Sequence, residues 1–290
     1  MVTEADLGLP DGRTLHYYDT AGNGAAADSP HASAAVFWHH GTPNVGSPPE
    51  PLFAAAAEQG FHWVSYDRPG YGGSSPHPDQ DVASAAADVA AIADARGLGR
   101  FAVVGHSGGG PRALACGALL PDRVIGVVSM SAPAPHQAEG LDWFAGWSKN
   151  GTAEQRAAAG GRAALEDYVE HAEFDMDDFT AGDQEALYGR WAWVGRVAGQ
   201  AMAAGPAAMI DDLLAAARPW GFDVADTAVP VLIVHGAADR MVPSAHGRWL
   251  ATRCPGAELR ITPDDGHITV LDHAPAALDW LSRQDRRRLA

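Results

Sequence analysis

Cysteine, basic residues and long apolar runs are all scarce in this 290-residue chain, and each scarcity excludes something. The two cysteines, Cys116 and Cys254, lie far apart and build no disulfide framework; a reduced, cytoplasmic setting is the expectation that follows. Twenty Lys and Arg against 36 Asp and Glu leave a formal net charge of −16. Such an excess repels polyphosphate and anionic lipid, so neither nucleic acid nor a membrane surface is an expected partner. No uninterrupted apolar stretch approaches the ~18–20 residues of a membrane helix. Met1-Val2-Thr3-Glu4-Ala5-Asp6 has neither a basic start nor an apolar core, so no signal peptide is expected. Metal-ligand spacing is missing as well: the adjacent His39 and His40 would point to opposite faces of a strand. The glycine-rich residues 105–110 lack the G-x-G-x-x-G spacing of a dinucleotide site. Neither a metal nor a cofactor is expected, and the oligomeric state is not readable.

What the chain does have is a globular balance, with 47% hydrophobic and 19% charged residues. A chain of this length buries roughly three-quarters of its unfolded surface, enough for one large domain with an insertion. Leu9-Pro10-Asp11-Gly12-Arg13 reads as a turn before an alternating strand from Thr14 to Asp19. Asn23 to Ser33 is small and polar and reads as a loop. Strands are expected at Ala35–Trp38, Phe61–Tyr66, Phe101–Val104, Val124–Met130, Val231–Val234 and Ala257–Ile261. Between them, helices are expected from Pro51 to Gln59, from Asp81 to Arg96 and after residue 108 through Leu120, where Cys116 would be a small buried hydrophobe. Continuous apolar runs suit strands covered on both faces, and alternation with helices argues for an α/β fold built on a parallel sheet.

Ala134 to Trp220 breaks that rhythm, because its periodicities are helical and it holds five of the nine tryptophans. Leu187, Trp191, Val194 and Ala198 are expected on one helical face, and Met209, Leu213 and Ala217 on another. The segment reads as a helical insertion over the carboxyl ends of the strands, where open parallel sheets bind ligands.

Gly105-His106-Ser107-Gly108-Gly109 follows the Phe101–Val104 run and opens a helix. A serine hydroxyl is a poor nucleophile, so a sharp strand-to-helix turn must push it toward a base, and a side chain at Gly105 or Gly109 would clash in so tight a turn. The base in turn needs an orienting carboxylate. Asp239 stands just past the Val231–Val234 strand, and His267 follows a glycine in the loop after the last strand. Asp264 and Asp265 are too close to His267 in sequence to approach its ring comfortably, and Asp226 precedes its strand. Serine, acid, histidine is the chain order this architecture expects. Among the other histidines, His39 and His40 are read as packing at a strand end, His106 as bracing the turn, and His246 and His273 as solvated on helices. Asp67 and Arg68 are read as an ion pair holding a glycine-rich loop.

Five segments together carry a resemblance: His40-Gly41-Thr42-Pro43, Asp67-Arg68-Pro69-Gly70-Tyr71-Gly72-Gly73-Ser74, Gly105-His106-Ser107-Gly108-Gly109, His235-Gly236-Ala237-Ala238-Asp239 and Gly266-His267. Over nearly its whole length the chain resembles a serine α/β-hydrolase with a helical cap inserted in the core. The resemblance implies a core of residues 1–133 and 221–290, a cap over 134–220, and a mostly parallel central sheet flanked by helices. It implies Ser107 as nucleophile, His267 as general base and then acid, Asp239 as its orienting residue, and an oxyanion hole from the backbone N–H groups of Thr42 and Gly108. The Thr42 hydroxyl is not needed for that role.

The expected activity is hydrolysis of an ester, thioester, lactone or amide of a small-molecule substrate through an acyl-serine. Trp143, Phe144, Trp147 and Trp191 are read either as walls of an apolar or aromatic pocket or as packing that holds the insertion to the core. A haloalkane dehalogenase or epoxide hydrolase of this type would place Asp where Ser107 stands. A prolyl aminopeptidase would show a Gly-Gly-Pro-Gly run where this chain has Gly41-Thr42-Pro43. Hydroxynitrile lyase or perhydrolase chemistry at the same serine stays open. So does a non-catalytic binding protein on the same frame, although the intact serine, aspartate and histidine argue against it.

Overall fold

Continuous runs of β-branched and other apolar residues, buried at every position, build the central strands of the molecule. A computed structural model describes residues 2–21 and 34–289, with side chains through residue 286; the loop expected at Asn23–Ser33 lies outside the described residues. The first strands are β1 (Thr3–Gly8), β2 (Thr14–Asp19), β3 (Ala34–His39) and β4 (Phe61–Tyr66). They are followed by β5 (Phe101–His106), β6 (Val124–Met130), β7 (Val231–Gly236) and β8 (Glu258–Thr262). All eight form one sheet in the order β1-β2-β4-β3-β5-β6-β7-β8. β1–β2 and β2–β4 pair antiparallel, and every other pair is parallel. The acidic β1 was not expected from its pattern; it is an edge strand whose structure comes from pairing with β2 rather than from burying a face.

The helices are α1 (Phe53–Glu58), α2 (Ser84–Ala95), α3 (Gly109–Leu119), α4 (Lys149–Ala159) and α5 (Arg162–His171). Next come α6 (Ala181–Tyr188), α7 (Ala192–Met202), α8 (Ala207–Ala217), α9 (Ser244–Arg253) and α10 (Ala274–Leu289). Strand alternation divides the core in two. Phe101, Val103, Val231 and Ile233 pack with residues of α2, α3 and α9 on one face. Ala102, Val104, Leu232 and Val234 pack with residues of α1 and α10 on the other. The result is an α/β architecture with helices on both faces of a mostly parallel sheet, as the alternation of elements implied. None of the helices among the described residues is long and apolar enough to cross a membrane.

Helices α4 to α8 lie between β6 and β7 and contain no strand among the described residues. Their partners are loops at the carboxyl ends of strands: Val45 N–H donates to Val197 O at 3.2 Å and Ser148 N–H to Arg240 O at 2.8 Å. A small core of Ala158, Leu165, Ile210, Leu213 and Leu214 holds α4, α5 and α8 together. The face expected to run from Leu187 to Ala198 does not exist as one helix. Gly189, with φ −119 and ψ −118, breaks the chain between α6 and α7. The buried stripe of α7 is Trp193, Val197 and Ala201, while Val194 and Ala198 are half-buried.

Helix α3 carries its two faces into different environments. Leu114 is fully buried, whereas Leu119 is 45% exposed. Leu114→Ala is expected to lower unfolding stability by about 2–5 kcal/mol in chemical denaturation. Leu119→Ala should change it by no more than about 0.5 kcal/mol. Equal effects would contradict this packing.

Candidate active site

β3, β5, β6, β7 and β8 end together: His39 pairs with Gly105, His106 with Met130, and Gly236 with Thr262. Side chains just beyond those ends therefore converge on one edge of the sheet. At the end of β5 the chain turns sharply into α3, and Ser107 adopts φ 54, a left-handed conformation rare for a residue with a side chain. Such a residue costs on the order of 1–3 kcal/mol. The turn is held by Ser107 N–H donating to Met130 O and Gly110 N–H to Ser107 O, both at 2.9 Å. A Cβ on Gly105 would lie 2.2 Å from Gly109 O, and one on Gly109 would lie 2.0 Å from His39 O. Both glycines are there because backbone passes backbone without room for a methyl group.

The structure brings the three widely separated residues into one hydrogen-bonded line. His267 Nε2 lies 2.9 Å from Ser107 Oγ, and His267 Nδ1 lies 2.8 Å from Asp239 Oδ2. Because the carboxylate can only accept, the network assigns the proton to Nδ1 and leaves Nε2 free to take the serine proton. Asp239 is buried, and its other oxygen accepts from Met241 N–H and Val242 N–H at 2.9 Å each. Burial alone would raise its pKa, but His267 and His235 outweigh that and hold the carboxyl well below the usual range. For His267, burial opposes protonation, yet Asp239 and then Asp183 raise its pKa above the ordinary 6.5. His106 donates through Nε2 to His267 O at 2.8 Å, and burial drives its pKa down to about 3, so it braces the loop as a neutral ring.

Thr42 and Gly108 meet beside the serine. A Cβ on Gly108 would lie 2.4 Å from Thr42 Oγ1 and 3.5 Å from Thr42 N. Neither backbone N–H donates to another group among the described residues. Gly108 is also the N-cap of α3, where helix amides have no internal partner. The Thr42–Pro43 peptide bond is cis.

The expected Asp67–Arg68 ion pair is not formed. Successive residues at a strand end point apart, and the two side chains serve different loops. Asp67 accepts from Gly46 N–H at 2.6 Å and Gly73 N–H at 2.9 Å. Arg68 instead reaches Asp212 of α8, with Nε at 3.0 Å from Oδ1 and one terminal nitrogen at 2.6 Å from Oδ2. Arg112 donates to the same carboxylate at 2.7 Å and to Gly108 O at 2.7 Å. Arg68 also donates to His40 O and Gly41 O, and the Thr42 hydroxyl donates to Asp212 Oδ2. Burial opposes ionisation of Asp212, but Arg112 and Arg68 hold its carboxyl well below the usual range. The Thr42 hydroxyl thus has a partner that sequence reasoning did not foresee.

Asp183 of α6 is a second buried carboxylate that reading missed. It accepts from the backbone N–H groups of His267, Ile268 and Thr269 at 3.0, 2.8 and 2.9 Å. Asp183 sits in a helix of mixed polarity that gives no warning of its burial, whereas Asp212 has a signal, its place between apolar Ile210 and Leu213-Leu214 in a largely apolar helix.

The four aromatic residues separate. Trp143, Phe144 and Trp147 form one cluster, with the two indoles stacked at 4.9 Å, and Trp191 lies apart with its indole N–H on Asp272 at 2.8 Å. The Trp143 and Trp147 indole N–H groups are also taken up inside the protein. Trp143 and Trp191 are 6% and 3% exposed, so only the half-buried Phe144 and Trp147 retain surface for a ligand. His246, expected in solvent, is buried beneath this cluster, accepting from Ala134 N–H at 3.1 Å. The reason is that α9 packs flat on the sheet with Gly247 against His235. His273 keeps 44% of its side chain exposed and pairs with Asp265. Among the described residues, no group of three or more His, Cys, Asp and Glu could hold a metal ion.

A family model described as alpha/beta hydrolase fold matches residues 34–274. A non-heme chloroperoxidase of Streptomyces lividans is 29% identical over 243 residues, 81% of this chain and 82% of that one. A 2-hydroxy-6-oxononadienedioate/2-hydroxy-6-oxononatrienedioate hydrolase of Burkholderia vietnamiensis is 26% identical over 283 residues, 92% and 89% of the two chains. The match to a pimeloyl-[acyl-carrier protein] methyl ester esterase of Aromatoleum aromaticum is 42% identical but spans 60 residues, 21% of this chain and 24% of that protein. Among solved structures, a bromoperoxidase from Bacillus anthracis superposes with a TM-score of 0.69 at 21% identity, covering 97% of this chain and 98% of the other. Sheet order, family match and structural likeness agree, and the chain belongs to the α/β-hydrolase fold family.

Proposed function

We propose that this protein is a serine hydrolase that cleaves a carboxylic ester, or a related thioester, lactone or amide, through an acyl-Ser107 intermediate. The observation that carries the reading is the unbroken line from Ser107 Oγ through His267 to Asp239, with spacings of 2.9 and 2.8 Å. His267 takes the proton as Ser107 attacks the carbonyl carbon, then passes it to the leaving group as the carbonyl–heteroatom bond breaks. Water, deprotonated by the same ring, hydrolyses the acyl-enzyme and regenerates the serine. Negative charge on the carbonyl oxygen is met by the Thr42 and Gly108 amides, each donor of this kind being worth about 3–4 kcal/mol in the transition state. Residues 134–220 serve as the cap, and the exposed faces of Phe144 and Trp147 favour a substrate with an apolar or aromatic portion.

The family match and the relatives named as a hydrolase and an esterase support hydrolysis without choosing the substrate. The chloroperoxidase relative favours a second use of the same intermediate, in which hydrogen peroxide replaces water and a peracid is released. A screen of p-nitrophenyl esters of graded chain length, with lactones and aryl amides, run with and without peroxide, separates these.

Ser107→Ala is expected to leave the melting temperature within a few degrees and to lower turnover of an activated ester by several orders of magnitude. A fluorophosphonate should label the native protein at Ser107 and leave the variant unlabelled. Full turnover in the variant would sink the proposal. The ring of His267 must be neutral to accept a proton, and its pKa is raised above 6.5. Hence kcat/KM should climb with pH through a midpoint above 6.5; a midpoint clearly below that value would contradict the assigned environment.

A further inference from the structure

The carboxylate of Asp183 is 1% exposed and faces no cation among the described residues, yet it is saturated with donors. Besides the three consecutive amides at residues 267–269, it accepts from the Thr269 hydroxyl at 3.2 Å and from Thr180 N–H at 3.3 Å. Gly266 passes so close that a Cβ there would lie 1.9 Å from Asp183 Oδ2. Burying a charge without a counter-ion is costly, and neutral donors offset only part of that cost. A helix end needing only a cap would be served by the Thr180 hydroxyl, which already accepts from Asp183 N–H at 3.1 Å. The carboxylate does something more: it reaches out of the insertion and grips the backbone that carries His267.

We propose that Asp183 is a positioning residue for the catalytic base, fixing the His267 backbone from the helical insertion and setting a second negative charge beside the imidazole. The inference rests on the reading of His267 as the base of a Ser107 hydrolase. In that reaction the ring gains a proton as serine attacks, so a nearby buried anion stabilises the charged ring. Asp239 acts on Nδ1 directly, whereas Asp183 acts from the backbone side. The other titratable groups around the ring are His106 from the end of β5, His235 from the end of β7, and the Asp265–His273 pair beside the loop. Among the described residues, Asp183 is the carboxylate that the insertion contributes to this neighbourhood, which makes the insertion part of the machinery rather than a cover alone.

The test is a titration of His267 in the full chain, followed through the Cε1 proton with 13C-labelled histidine and assigned by its loss in His267→Gln. In Asp183→Asn the midpoint should fall by about half a unit or more, with the acid limb of kcat/KM moving to lower pH in step and the plateau dropping roughly ten-fold. Thr180→Ala removes the capping hydroxyl but keeps the charge; it should lower the melting temperature and leave the midpoint unmoved. Should Asp183→Asn fail to fold, Gly266→Ala displaces the carboxylate instead, and the same fall is expected. An unchanged midpoint in a folded Asp183→Asn, or in Gly266→Ala in its place, overturns the proposal, as does an equal shift in Thr180→Ala. Because the titration does not depend on Ser107, its outcome is separate from that of Ser107→Ala, which tests the hydrolase reading itself.

Discussion

The hydrogen bond between Ser107 Oγ and His267 Nε2 joins residues 160 positions apart, and only the parallel sheet makes it available. Parallel strands point their carboxyl ends the same way, so the loops after β3, β5, β7 and β8 all open on one edge. The rest of the site hangs from that fact. The strained turn at Ser107 is tolerated because β5 and β6 anchor it on one side and the backbone of β3 presses against Gly109 on the other. Rigidity of the scaffold holds a conformation that an isolated peptide would abandon.

Charge is distributed across this edge with a definite polarity. On the imidazole side lie two buried carboxylates, Asp239 and Asp183. On the side of Thr42 and Gly108 lie two buried guanidinium groups, Arg68 and Arg112, offset by the single carboxylate of Asp212. In the proposed reaction the ring becomes positive as the carbonyl oxygen becomes negative, so the fixed charges match the dipole that develops. Preorganised charge in a site with little water acts without the reorganisation that solvent would need. One aspartate on each side comes from the helices between β6 and β7, and removing Asp212 would leave two buried cations without their shared partner, a costly state.

The sheet, the turn and the placement of Ser107, Asp239 and His267 just beyond strand ends are legible because each obeys a local rule. Continuous apolar runs mark doubly covered strands, glycines mark a turn without room for a side chain, and Asp239 and His267 follow strands. Ion-pair partners obeyed no such rule. Arg68 pairs not with its neighbour Asp67 but with a carboxylate 144 residues away on another element. His246 is buried, which its short polar helix does not announce because it shows little periodicity of its own. Leu187 and Trp191 fit one helical period in the sequence, and the single glycine between them breaks it without a second local signal.

By itself the chain determined its architecture and the chemical types at its centre, since hydrophobic period and turn chemistry are properties of neighbouring residues. Tertiary structure alone decided which groups the buried carboxylates meet. Those partners, Asp183 with the His267 loop and Asp212 with Arg68 and Arg112, lie far apart in the chain. What selects them is the cost of leaving a buried polar or charged group without a donor or counter-ion, and those groups become buried only where helices α6 and α8 meet the carboxyl-end loops of the sheet.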